Sequence, residues 1–121
     1  MPVRSLSSSV LKWPDAAAVV AALQVWAQLL SQTHPELQRV GYFGSYARGD
    51  WGVGSDLDVV IVVDHADAPF VGRGASWDAT GLPVPTDVLV YTTAEWERLS
   101  RAARPRPRLL DEVRWILVRS A

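Results

Sequence analysis

Gly44-Ser45-Tyr46-Ala47-Arg48-Gly49-Asp50-Trp51-Gly52-Val53-Gly54-Ser55-Asp56-Leu57-Asp58 is the stretch on which the reading of this chain turns. It holds four of the eight glycines and lies between two apolar runs, Arg39-Val40-Gly41-Tyr42-Phe43 and Leu57 to Val63. Glycine lets backbone amides approach an anion closely and adopt positive φ. If a short helix starts after Ser45, its free amides and dipole also favour phosphate, and the Ser45 hydroxyl adds a donor. Asp56 and Asp58 are separated by one residue, Leu57, at the mouth of the second run. Strand alternation puts both on one face, roughly 6–7 Å apart. Carboxylates that close repel unless a cation sits between them, and magnesium is typically held by one or two carboxylates plus substrate phosphates. The pair beside a glycine-rich turn predicts a metal–triphosphate site.

Outward from this stretch, Leu57 to Val63 is nearly all β-branched, as a strand covered on both faces should be. Before it, Trp13-Pro14-Asp15 reads as a helix start with Asp15 as the cap. Val19, Leu23, Trp26 and Leu30 mark a buried helical stripe that ends near His34, ahead of Pro35. After it, 64–85 reads as a long loop rich in glycine and proline, and loops of that length are usually functional or mobile. Asp87-Val88-Leu89-Val90-Tyr91 is a third strand. An unpaired carboxylate entering so apolar a run would be costly to bury, so Asp87 is the natural third acid of the site. Thr93 reads as the cap of a helix running to about Ala103. Val113 to Val118 reads as a fourth strand, with a helix through Leu109–Val118 as the alternative. These elements predict an α/β (α+β) domain: a mixed sheet of about four strands, with helices packed on one face.

The 121 residues fit one domain, read as a flexible serine-rich segment over 1–12 and a single domain over 13–121. No cysteine is present, which removes disulfides, thiolate zinc sites and cysteine nucleophiles, and a cytoplasmic protein is expected. A net charge of −1 argues against clamping long nucleic acid by charge alone. No stretch reads as a membrane span of ~20 apolar residues or as a secretory signal.

Gly44-Ser45, ten intervening residues, Asp56-Leu57-Asp58 and a strand-borne Asp87 together resemble the DNA polymerase beta-type nucleotidyltransferase superfamily. Tyr46-Ala47-Arg48-Gly49 and Ser55-Asp56 are similar to its minimal nucleotidyltransferases. The resemblance implies transfer of a nucleoside monophosphate, AMP from ATP, with pyrophosphate leaving and two magnesium ions assisting. It implies Asp56, Asp58 and Asp87 as metal and catalytic residues, and Gly44, Ser45, Arg48 and Ser55 on the nucleotide. It also implies a helical HEPN-type partner, with this chain as antitoxin and its partner as acceptor. A homodimer would be another way to complete so small a site. The rival readings are an antitoxin that works by covering its partner, and an aminoglycoside-type nucleotidyltransferase.

Trp51 is the tryptophan placed to meet a base, while His34 and His65 read as helix-end and loop residues. Arg98, Arg101, Arg104, Arg106 and Arg108 read as a solvated face, or as a dock for an acidic surface or RNA.

Overall fold

The computed structural model describes residues 13–69, 72–102 and 107–119, so the segment expected to be flexible at 1–12 lies outside the described residues. Helix α1, Ala16–Thr33, begins where the Asp15 carboxylate accepts from the Ala18 amide at 2.8 Å, and it closes at His34 before Pro35. Its fully buried stripe is Val19, Leu23 and Ala27; Trp26 and Leu30, expected on that stripe, flank it half-buried. α1 is long and apolar enough by composition to span a membrane, which the sequence reading did not anticipate. In this fold Val19, Leu23 and Ala27 of α1 are buried in the core.

Strand β1, Leu37–Phe43, runs into the four-residue helix α2, Ser45–Arg48, and the chain returns as β2, Leu57–Val63. A 3-10 turn at Arg73–Ser76 interrupts the long loop ahead of β3, Thr86–Thr92, and α3, Thr93–Ala102. The C-terminal piece divides: helix α4, Arg108–Glu112, then strand β4, Arg114–Val118. The strand expected over Val113 to Val118 is found at Arg114–Val118, and the alternative helix through Leu109–Val118 extends only to Glu112.

The sheet order is β3-β2-β1-β4. β1 is antiparallel to β2 and β4, while β2 and β3 are parallel. The mixed four-stranded sheet is as the sequence predicts, but the helices lie on both faces rather than one. Val59, Ile61 and Val63 pack in the cluster that includes α1, whereas Val60 and Val62 pack with Trp96 of α3 and Leu109 and Leu110 of α4. The cause is in β2 itself: a strand apolar at both parities needs cover on both sides. Gly41 of β1 allows this second layer to close, because a Cβ there would come within 2.8 Å of the Trp115 ring.

The α3 cap is Thr92 rather than Thr93. The Glu95 amide donates to the Thr92 hydroxyl at 3.1 Å, and the Thr92 amide donates to the Glu95 carboxylate at 2.8 Å, a reciprocal capping box. The same carboxylate receives Arg73, which is buried and also donates to the Val90 carbonyl, so the long loop is pinned to β3 and α3. The Arg73 guanidinium, ahead of the Thr92 amide, holds the Glu95 carboxyl at about 2, below its ordinary 4.5. Because the folded value is depressed, this contribution to stability is full above about pH 4.5 and is lost as pH falls through about 2. Arg73→Leu is therefore expected to cost about 2 kcal/mol at pH 7 in urea unfolding. The gap from wild type should narrow as pH falls toward 2, and an equal gap at both ends would show that the pair is not its source.

Candidate active site

Three loop-to-strand junctions meet at one end of the sheet. The parallel register sets Asp58 of β2 directly opposite Asp87 of β3, and Phe43, the last residue of β1, opposite Asp58 on the other side. Paired residues in register share a sheet face, so Asp58 and Asp87 project to the side that carries Val60, Val62 and Trp96. Asp56 precedes the strand with the same parity and is exposed, Asp58 is half-buried, and Asp87 is exposed. Burial, then the neighbouring charges of Asp87 and Asp56, raise the Asp58 carboxyl above its ordinary value. Like charges are thus brought together beside a partly desolvated carboxylate.

Gly44 is placed against this group. Its φ of 77° and ψ of −149° lie in a region essentially confined to glycine, and a Cβ there would overlap the Asp58 carboxylate oxygen. The turn therefore approaches Asp58 too closely for any side chain at residue 44. Ser45 follows as the first residue of α2, half-buried at the same junction.

The other two candidates are already engaged by neighbouring groups. The Ser55 hydroxyl accepts from the Gly52 amide at 2.8 Å and closes the turn over 52–55. Arg48 is exposed and held between two carboxylates, with Nε on Asp50 at 3.0 Å and Nη1 on Glu112 at 3.1 Å. Tyr46 underpins the loop: its hydroxyl takes the Trp13 indole N–H at 3.0 Å, and its ring stacks on Trp51 with centroids 5.5 Å apart. Trp51 is therefore a half-buried part of the loop's support. His34 lies against Trp77 with ring centroids 4.5 Å apart, at the end of α1. Of the basic run, Arg101 pairs with Glu97 in an exposed i,i+4 contact, and Arg104 and Arg106 lie outside the described residues.

Glu112 is the residue that sequence reasoning missed. Its carboxylate receives both the Gly44 amide, at 3.1 Å, and Arg48. It stands 68 residues from Gly44 in sequence, inside an ordinary acidic pair Asp111-Glu112, and no spacing rule links the two.

Among the described residues no group of three His, Cys, Asp or Glu side chains is gathered closely enough to hold a metal as it stands. The donor chemistry nevertheless suits a hard cation. Asp58 and Asp87 are all-oxygen neighbours in register with Asp56 close by, their mutual repulsion is already felt at Asp58, and the Gly44 turn borders them.

Residues 26–115 match the family model described as nucleotidyltransferase domain. No curated protein matches the sequence. Among solved structures, the chain is similar to a proposed nucleotidyltransferase from Sulfolobus solfataricus, with 22% identity, 73% of this chain and 84% of that one covered, and a TM-score of 0.53. It is also similar to a toxin–antitoxin structure with AMP-PNP, with 19% identity, 82% of this chain and 74% of that one covered, and a TM-score of 0.55.

Proposed function

The chain belongs to the nucleotidyltransferase domain family and is a nucleotidyltransferase; from that premise we propose that it transfers AMP from ATP to a hydroxyl of a HEPN-type partner protein and so acts as an antitoxin. The observation that carries the reaction is the Asp58–Asp87 register with Gly44 set against Asp58. The similarity to a toxin–antitoxin structure with AMP-PNP supports an adenine nucleotide and a toxin as the partner.

In this reading the Gly44–Ser45 turn receives the nucleotide phosphates, and Arg48 offsets their charge. Asp56, Asp58 and Asp87 would hold two magnesium ions, which when bound supply positive charge to the triphosphate and the departing pyrophosphate. Asp87, the exposed acid at the start of the edge strand, orients the acceptor hydroxyl and takes its proton. The hydroxyl oxygen forms its bond to the α-phosphorus while the bond from that phosphorus to the pyrophosphate oxygen breaks.

A second reading, neutralisation by covering the partner, is favoured by Val25 and Leu29, exposed one turn apart on α1 at 61% and 59%. One assay tests the first reading and separates the two. With the protein of the neighbouring gene, magnesium and labelled nucleoside triphosphates, the partner is expected to gain the mass of AMP. Should no species gain mass with any nucleotide while the toxin is still neutralised, covering is the mechanism and transfer is not.

A further inference from the structure

α2 is gripped from outside its own motif. Glu112, at the end of α4, takes the Gly44 amide at 3.1 Å and Arg48 Nη1 at 3.2 and 3.1 Å through its two oxygens, and its side chain is only 15% exposed. Two residues on, the Arg114 guanidinium donates to the Ala47 carbonyl at 3.0 Å. The α4–β4 junction thus holds both ends of a four-residue helix too short to hold itself. Asp50 takes the Nε edge of Arg48 at 3.0 Å, so the two carboxylates fix the guanidinium on two sides. A free arginine side chain has many rotamers to lose, and a planar fork already held in place loses less on meeting a ligand.

We propose that Glu112 is a positioning residue for nucleotide binding: its carboxylate fixes the Gly44 turn and aims Arg48 at the triphosphate. The proposal rests on the nucleotidyltransferase reading of the site. Both contacts run through one carboxylate, so the turn that approaches Asp58 and the cation that meets the phosphates move together. Glu112 touches no reacting atom and acts through Arg48.

The test is equilibrium binding of magnesium AMP-PNP to the full chain as wild type, Glu112→Gln, Glu112→Asp, Arg48→Ala and the Glu112→Gln/Arg48→Ala double variant. Glutamine keeps an oxygen for the Gly44 amide and removes one of the two charges that hold Arg48. Glu112→Gln is expected to weaken binding about tenfold, the worth of one charge-assisted hydrogen bond. Glu112→Asp should recover part of the loss, and the double variant should bind no more weakly than Arg48→Ala alone. Melting curves serve as the folding control for each variant.

Tighter binding by Glu112→Gln would make this carboxylate a competitor of phosphate and overturn the proposal. Losses that simply add in the double variant would also overturn it, because Glu112 would not be acting through Arg48. Unchanged binding with a lowered melting midpoint would reduce Glu112 to a structural contact. A wild type that binds no nucleotide would overturn the functional reading and this role together.

Discussion

Asp58→Asn is expected to lower nucleotidyl transfer by about three orders of magnitude, the scale on which one charge-stabilising group acts in a reacting site. The variant should nevertheless fold, and should melt about 1–4 °C higher than wild type near neutral pH without added cation. The sign follows from the geometry. Asp58 is half-buried, faces Asp87 in register and has Asp56 on its own side, and these together raise its carboxyl above the ordinary range. A carboxyl raised in the folded state favours folding only while protonated, so at neutral pH its ionised form works against the fold. Asparagine keeps the shape and removes that repulsion. Magnesium should raise the melting midpoint of wild type and leave the variant nearly unmoved. Transfer at the wild-type rate, or a variant that melts lower and still responds to magnesium, would remove Asp58 from the centre of the reaction.

Gly44→Ala should produce the second-largest loss. The side chain must enter a backbone region essentially confined to glycine, a strain of about 2 kcal/mol. Its methyl must also displace the Asp58 carboxylate, since the built Cβ overlaps that oxygen. Misplacing a reacting group by about an ångström costs about a hundredfold in rate, so transfer should fall by about that factor. Gly49→Ala is the matched control: its φ is also positive, at 89°, yet nothing lies within 4 Å of its Cβ. It should lose stability and keep most of the transfer rate. If both variants lose activity equally, backbone strain rather than the approach to Asp58 is the cause.

Much of this arrangement was legible because its signals are local. Asp15 capping α1, the β-branched run of β2 and the glycine-spaced turn ahead of Asp56 and Asp58 depend on residues within a few positions of one another. The α3 cap was misplaced by one residue because Thr92 and Thr93 are both competent. What decided between them is the reach of Glu95 back to the Thr92 amide, with Arg73 fixed on the same carboxylate. Residues 109–118 stayed ambiguous because a short helix and a short strand follow each other there with one residue between them.

By itself the sequence determined the order of the long helix and the three central strands, the acidic pair beside a small-residue turn, and the class of chemistry such a pair serves. Only the tertiary structure decided that Asp87 falls opposite Asp58, that helices cover both sheet faces, and that Glu112 closes on Gly44 and Arg48. The reason is physical: spacing along a chain constrains neighbours a few residues apart. Strand register and the meeting of groups 68 residues apart are set by how the whole core packs.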